Sequence, residues 1–217
     1  FGADFAYTVD GGELGEISNE NFNAAAVELT VHGINTHPGS AKNKMRNAIL
    51  FLNEFINLLP AAEIPACTEG REGFYHIESV SGNETEARLS MLIRDFDKEG
   101  FEKRKQYIES TVAFLNKKYG GATFEVSVTD RYYNMLEIIE KYPEITARIE
   151  SAMRKAGVKP EFEPIRGGTD GARLSFEGLP CPNLSTGGMN FHSIYEAIPV
   201  KSLEKMTDVL INILCED

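Results

Sequence analysis

Apolar and polar positions follow a strand or helix period over the central part of this 217-residue chain. A period of two predicts a half-buried strand, and apolar residues three and four positions apart predict an amphipathic helix. The predicted strands are Ala26–His32, Phe74–Val80, Ala87–Phe96 and Thr123–Thr129, and the predicted helices are Asn47–Leu59 and Phe101–Tyr119. Their order, β-α-β-β-α-β, predicts a ferredoxin-like α+β domain at residues 22–130.

The two flanking segments have a different pattern, in which short strands and helices alternate. Residues 1–10 predict a buried strand that ends at Gly11 and Gly12. Farther along, the pattern predicts helix Pro143–Ala156, strand Phe162–Ile165, helix Thr169–Phe176, strand Cys181–Leu184 and helix Lys201–Leu214. Such alternation is typical of a parallel α/β sheet. Because two or three strands cannot form a covered sheet alone, we expect residues 1–21 and 131–217 to form one incomplete α/β domain around the inserted one.

The chain begins at Phe1 inside a predicted strand, with no initiator methionine and no polar lead-in. Trimming of a disordered terminus would give such a start, and so would division of a domain. The incomplete sheet favours the second explanation. We therefore expect further strands of this domain to lie upstream of residue 1.

Composition narrows the class of protein. The chain is 42% apolar and 25% charged, with a net charge of −11 at pH 7, which is ordinary for a soluble globular protein. Nucleic-acid binding is disfavoured because phosphates require clustered Lys and Arg. The sequence predicts neither a membrane span nor a signal peptide. Cys67, Cys181 and Cys215 have no C-x-x-C spacing, and we interpret them as reduced thiols of a cytoplasmic protein.

The segment RGGTDGAR, residues 166–173, is a candidate binding loop. Its glycine pair allows a sharp turn between a predicted strand and a predicted helix. One interpretation is a capped turn, in which Thr169 caps the helix. The other is a carboxylate pocket, in which Arg166 lies beside backbone N–H groups.

Asp10 and His192 are candidate metal ligands. His192 lies in a glycine-rich loop between a predicted strand and the last helix, and such loops bind ligands in parallel sheets. Imidazole is the commonest metal ligand, although an ordinary loop histidine is the alternative. Asp10 ends the first predicted strand, where a carboxylate either binds a metal or starts an Asx turn.

Two residues of the inserted domain are also candidates. His37 lies in the turn NTHPG after the first strand, where an exposed histidine can reach outward. Arg94 lies within the apolar strand sequence MLIRDF, so it either reaches solvent at an edge or points into a binding cleft. His32 and His76 lie in alternating strands, and we interpret them as structural.

Several segments together resemble the zinc-dependent exopeptidases related to carboxypeptidase G and succinyl-diaminopimelate desuccinylase, and among these the aminotripeptidases. These segments are FGADFAYTVDGGELGE, VHGINTHPGSAKNKM, GFYHIESVSGN, LIRDFD, RYYNM, PIRGGTDGARLSFEGLPCPNLSTGG and NFHSIYE. They cover nearly the whole chain. The resemblance implies the C-terminal portion of such an enzyme, with a catalytic α/β domain that binds two zinc ions and an inserted lid domain that also dimerises.

The resemblance also implies roles for individual residues. Asp10 would be a terminal carboxylate ligand of one zinc ion, and His192 a terminal histidine ligand of the other. His37 would be the lid histidine that helps to stabilise the tetrahedral intermediate. The residues that would hold the C-terminal carboxylate of the substrate, or lie in the matching glycine-rich loop, are Arg94, Asn83, Arg166 and Thr169.

The same resemblance indicates what the chain lacks. The family requires a further histidine, a bridging aspartate, a ligand glutamate and a general-base glutamate, and all four precede the segment where this chain begins. We therefore expect a cytoplasmic aminotripeptidase fragment that acts on small peptides, dimerises through its inserted domain and is inactive alone. The alternatives are a non-catalytic dimerisation or binding module, and a related two-zinc exopeptidase or deacylase acting on another small amide.

Overall fold

The computed structural model describes residues 2–121 and 123–215. Its strands are β1 (Thr8–Val9), β2 (Glu16–Ser18), β3 (Asn23–His32), β4 (Phe74–Gly82), β5 (Glu86–Asp95), β6 (Phe124–Tyr132), β7 (Glu161–Phe162) and β8 (Asn183–Leu184). Its helices are α1 (Ala48–Leu58), α2 (Lys98–Tyr119), α3 (Leu136–Ile139), α4 (Pro143–Lys155), α5 (Asp170–Phe176) and α6 (Val200–Leu214). Within these described residues, no helix is both long and apolar enough to cross a membrane.

The described residues divide into two compact units. Asn23–Tyr132 form one, which we call the inserted unit, and those within Phe1–Phe22 and Tyr133–Asp217 form the other, which we call the split unit. The sequence predicted unit limits that differ from the observed limits by one or two residues. The predicted limits were 22–130 for the insertion and 1–21 with 131–217 for the rest.

The inserted unit has the predicted βαββαβ order. Its four strands are arranged β4-β5-β3-β6, and every neighbouring pair is antiparallel. The two central strands, β3 and β5, pair over ten residues each, from Asn23 with Asp95 to His32 with Glu86. This is the strand order of a ferredoxin-like fold, and it confirms the predicted fold class.

Both helices of the inserted unit pack against the same face of this sheet. Phe55 of α1 and Phe101 of α2 are completely buried together with the strand residues Leu29, Met91 and Ile93. The Asn47 side chain caps α1. Helix α2 begins three residues earlier than its apolar pattern predicts, because the Asp97 side chain accepts a hydrogen bond from the Gly100 N–H at 2.7 Å.

The split unit contains a mixed sheet in the order β1-β8-β2-β7. Strands β1 and β8 are parallel, as are β2 and β7, but β2 and β8 are antiparallel. The segment before the insertion therefore joins the sheet, as expected. The alternating pattern predicted a purely parallel sheet. This prediction is wrong, because β2, a strand that the pattern did not predict, is antiparallel to β8.

Two predicted strands of this unit are much shorter than expected. The N–H groups of Ala6, Thr8 and Asp10 donate to the carbonyls of Pro180, Pro182 and Leu184 along the edge of β1. Proline has no N–H to return these bonds, so regular pairing is confined to Thr8–Val9 and Asn183–Leu184. The prediction of a strand over residues 1–10 is therefore wrong in length, and Phe1 lies outside the described residues.

The core of the split unit lies between the sheet and the helix pair α4 and α6. Ile149 and Met153 of α4 and Met206 and Val209 of α6 are buried there against Ile17 of β2. This packing leaves the carboxyl ends of β1 and β8, and the loops that follow them, on the open side of the sheet. The candidate site is built from those loops and from the segment that follows β7.

Candidate active site

A cavity of about 570 Å³ lies at the carboxyl ends of β1 and β8 in the split unit. The two strands are parallel, so the segments that follow them leave the sheet at the same edge. Four of the seven predicted site residues line this cavity: Asp10, Arg166, Thr169 and His192. Asp10 follows β1 and His192 lies in the loop after β8, whereas Arg166 and Thr169 reach the cavity from the segment that follows β7.

Asp10 is positioned by its own backbone. Its N–H donates to the Leu184 carbonyl at 3.0 Å, and its carbonyl accepts from the side-chain amide of the buried Asn183 at 2.8 Å. The exposed carboxylate is left to face the cavity. Gly12 follows with φ of +73°, and a Cβ there would lie 2.8 Å from the Ser185 Cβ. The sharp turn after β1 therefore requires glycine at this position.

His192 lies in a loop with unusual backbone geometry. Both Asn190 and His192 have positive φ values, 56° and 62°, a conformation that is uncommon for residues other than glycine. The His192 N–H donates to the Glu196 carboxylate at 2.9 Å, which holds the loop in place. Backbone strain of this kind is often found at functional sites, and here it presents an exposed imidazole at the cavity.

The glycine-rich segment contributes Arg166 and Thr169. The Arg166 guanidinium carbon lies 5.2 Å from the centre of the buried Phe22 ring, and this cation–π contact orients the side chain. The Thr169 hydroxyl accepts from the Gly171 N–H at 3.4 Å and caps α5. Thr169 therefore caps the helix, as the first interpretation of this segment predicted, and it also lines the cavity.

Three further carboxylates, which the sequence did not predict as site residues, also line the cavity: Glu16, Glu163 and Glu196. Burial raises the pKa of the Glu16 carboxyl, an effect opposed by a hydrogen bond from the Glu13 backbone and increased by neighbouring carboxylates. With Asp10, four carboxylates oppose the single guanidinium of Arg166. The cavity as a whole therefore favours a cationic occupant.

The donor set at the cavity is compatible with a metal ion but is incomplete among the described residues. Asp10 and His192 carry oxygen and nitrogen donors that suit zinc. Within residues 2–121 and 123–215, no three His, Cys, Asp or Glu side chains are grouped as metal ligands. A catalytic zinc ion uses three protein ligands, so these residues could supply part of a centre.

His37 lies in the inserted unit. Its Nδ1 accepts a hydrogen bond from the Gly39 N–H at 3.1 Å, which places the proton of the neutral ring on Nε2. A second cavity, of about 590 Å³, lies beside it and is also lined by Asn35 and Glu84. His37 can therefore present an Nε2–H donor to a ligand oxygen.

Asn83 and Arg94 lie at opposite ends of the inserted sheet. The Asn83 carbonyl oxygen accepts from the N–H groups of Thr85 and Glu86, at 2.8 and 3.2 Å, and so stabilises the β4–β5 turn. The Asn35 side chain bonds Glu84 in the same turn, which keeps His37 at this end. Arg94 lies seven residues beyond Ala87 along β5, or about 23 Å away. These three residues do not form one cluster within the unit.

Comparison with known proteins shows which proteins this chain is similar to. Residues 19–123 match the peptidase dimerisation domain family. The chain is 56% identical over 214 residues to the peptidase T of Halothermothrix orenii, and the match covers 99% of this chain and 52% of that protein. Over nearly its whole length, this chain is similar to a part of peptidase T. It spans about half the length of the curated relatives it matches.

Two solved structures have the same fold. An aminopeptidase PepT from Bacillus cereus is 22% identical with a TM-score of 0.82, over 98% of this chain and 57% of that one. A tripeptidase from Staphylococcus aureus is 20% identical with a TM-score of 0.85, over the same shares of the two chains. At these identities the likeness concerns the fold.

Proposed function

We propose that the protein to which this chain belongs is a two-zinc aminopeptidase that releases the N-terminal residue of tripeptides. The observation that carries this proposal is the gathering of Asp10, His192, Arg166 and Thr169 around one acidic cavity at the carboxyl ends of β1 and β8. The 56% identity to peptidase T supports the same conclusion.

Asp10 and His192 are the residues of this chain that would hold zinc. When bound, zinc lowers the pKa of a water molecule and so supplies the nucleophile. The other ligands and the general-base glutamate would come from the part of the protein that corresponds to the remaining half of the relatives. We propose that this chain is inactive alone for that reason.

The other polar residues would position the substrate. His37 would donate its Nε2–H to the oxygen that becomes negative during attack, since its Nδ1 is already used by Gly39. Arg94 and Arg166 would hold the carboxylate at the far end of the peptide. Asn83 would contribute its side-chain N–H donors, because its carbonyl oxygen is used in the β4–β5 turn.

We propose a homodimer, and the separation of Arg94 and His37 supports it. An extended tripeptide spans about 10 Å, less than half of the distance of about 23 Å along the strand between their two ends of the sheet. A tripeptide alone therefore does not bridge the two positions in the same copy. Dimerisation through the inserted unit, as the family description suggests, would allow the two contacts to come from different copies. We also propose a cytoplasmic location, consistent with the free thiols of Cys67, Cys181 and Cys215.

The test is tripeptide hydrolysis by the longer protein with Asp10→Ala or His192→Ala. We expect each change to abolish release of the N-terminal residue and to lower zinc content. The matched control is His76→Ala, which removes an exposed histidine outside the cavity and should leave both measurements unchanged. Near-normal turnover by zinc-loaded His192→Ala would show that His192 is not a ligand.

A non-catalytic dimerisation or binding module is the second candidate, and the self-contained core of the inserted unit favours it. On that view the chain would dimerise, and even the longer protein would not cleave peptides. A substrate panel that includes N-acyl amino acids would also separate a tripeptidase from a related deacylase. Cleavage of the acyl substrates alone would replace the tripeptidase proposal by the deacylase.

A further inference from the structure

Arg94 and Tyr132 lie side by side on one face of the inserted sheet. Ala24, on the central strand β3, pairs with Arg94 of β5 on one side and with Tyr132 of β6 on the other. Residues paired across antiparallel strands project to the same face. The neighbouring row, which includes Ile93 and Ala25, is buried against the helices. The Arg94 row therefore projects to the opposite face, and the small Ala24 side chain lies between the guanidinium and the phenol.

A β-bulge places Tyr132 on this face. Ala25 pairs with Asp130, but Ala24 pairs with Tyr132, so Arg131 is the extra residue. Asp130 lies on the helix side, where Lys105 of α2 bonds its carboxylate at 2.9 Å. Without the bulge, the period of two would put Tyr132 on that side as well. Bulges that redirect a side chain are common next to active sites.

The Tyr132 hydroxyl is an unexplained polar group. Its oxygen is buried beside the Arg94 guanidinium, which can only donate, and within the described part of the chain the Tyr132 O–H donates to no acceptor with good geometry. Burial raises the pKa of Tyr132, and the positive charge of Arg94 and a hydrogen bond with Arg94 lower this pKa by a smaller amount. The phenol is therefore protonated at neutral pH and keeps an O–H to donate. A buried hydroxyl that serves only the fold is normally bonded to the protein.

We propose that Tyr132 and Arg94 together form the receptor for the α-carboxylate of the peptide, with the Tyr132 hydroxyl donating to one carboxylate oxygen. The inference rests on the proposed function, in which Arg94 holds this carboxylate, and it adds Tyr132 as a second substrate-binding residue. A guanidinium and a hydroxyl offer three or more donors to an anion and no negative charge. The bond from a hydroxyl to a carboxylate is charge-assisted and short. A terminal amide, which is uncharged, would gain much less from the same pair.

The experiment measures binding rather than catalysis, so it can be done on this chain itself. Trialanine and trialanine amide are titrated into the wild-type chain, and binding is followed by NMR chemical shifts. Tyr132→Phe removes only the hydroxyl, and Arg94→Lys keeps the charge while losing the planar fork. The matched control is Tyr133→Phe, since this adjacent tyrosine packs its ring against Phe176 instead.

The wild-type chain should bind the free acid more tightly than the amide. Tyr132→Phe should weaken binding of the free acid by roughly tenfold or more, with little change for the amide, whereas Tyr133→Phe should behave as the wild type. Equal affinity of the wild type and Tyr132→Phe for the free acid would overturn the proposal. So would a wild-type chain that does not distinguish acid from amide, or that binds neither.

Failure of the proposed function has a different signature. Suppose that the longer protein cleaves no tripeptide while this chain still binds the free acid more tightly than the amide. That result would refute the proposed peptidase activity and leave the proposed carboxylate receptor standing. Active enzyme with unchanged carboxylate preference in Tyr132→Phe would refute only the receptor. A structural role for the hydroxyl predicts a lower melting temperature and equal losses for acid and amide, which thermal melts of the same variants would detect.

Discussion

The inserted unit and the split unit differ in the length of their strands and in the exposure of their apolar side chains. Four strands of nine or ten residues form the inserted sheet, and two helices cover its inner face. The split unit has strands of only two or three residues, and several large apolar side chains near its cavity loops are exposed, among them Ile194 at 91% and Val200 at 71%. Long strands form the first unit, whereas loops carry the candidate site residues of the second.

The two units also differ in where their candidate site residues lie. Loops carried by a rigid scaffold are the usual location of binding and catalytic residues. In the split unit, four predicted site residues lie in such loops around one cavity. In the inserted unit, Arg94 is the candidate that lies within a strand, and its neighbourhood is shaped by a bulge.

The largest expected effect concerns the core of the inserted unit. Phe101 is fully buried between α2 and the sheet, so Phe101→Ala should lower the free energy of unfolding by about 3–5 kcal/mol. Ile194 is an apolar side chain of the split unit that is almost fully exposed, and Ile194→Ala should change stability by no more than about 0.5 kcal/mol. Urea unfolding followed by circular dichroism measures both. Similar losses for the two variants would remove the contrast between the units.

A smaller effect is expected at two helix caps. The Asn47 side chain accepts from the N–H groups of Ile49 and Leu50 at 3.0 and 3.3 Å, so Asn47→Ala should cost about 1 kcal/mol. The Thr169 bond to Gly171 is longer, at 3.4 Å, so Thr169→Ala should cost about 0.5 kcal/mol. Asn47→Asp and Thr169→Ser keep the acceptor and serve as controls in the same unfolding assay. A larger loss for Thr169→Ala than for Asn47→Ala would contradict this order.

The smallest effect is a pH-dependent gain in the split unit. Burial raises the folded-state pKa of Glu16 above its ordinary value of 4.5. Its ionised form is therefore disfavoured in the folded state, and the stability that protonation provides is lost as the pH rises through the folded pKa. Glu16→Gln should increase the free energy of unfolding at pH 7 by less than about 1 kcal/mol, since the group is partly exposed.

At pH 4 and below, Glu16→Gln and the wild type should have the same stability. The control is Glu204→Gln on the exposed side of α6, which should show no gain at either pH. The measurement is the free energy of unfolding at several pH values. An increase for Glu16→Gln that becomes larger toward acidic pH would contradict the prediction.

The sequence predicted the inserted unit better than the split unit, for a physical reason. Long strands and helices repeat their period many times, so the limits of β3 and α1 were predicted within a few residues. The strand Glu16–Ser18 was missed because three residues carry too little periodicity to be recognised. Glu16 was consequently not placed in the cavity.

The candidate site was partly predictable. Glycine pairs and strand ends pointed to Asp10, Arg166, Thr169 and His192, and these four line one cavity. The bulge at Arg131 has no signal in the pattern of apolar residues, so the position of Tyr132 beside Arg94 could be recognised only from the strand register. His37 lies at one end of the inserted sheet and Arg94 at the other. This separation can likewise be recognised only from the strand pairing, not from the spacing of the residues along the chain.

The most direct test of the central claim measures zinc content and trialanine hydrolysis. Two proteins are compared: this chain, and a longer protein that also includes the half of the relatives that this chain does not cover. We predict that the longer protein binds about two zinc ions and releases alanine from the peptide, because a catalytic zinc ion needs three protein ligands and the ligands proposed in this chain are Asp10 and His192. The shorter chain should do neither. Tight binding of two zinc ions by the shorter chain, or a zinc-loaded longer protein that leaves the tripeptide intact, would contradict this claim.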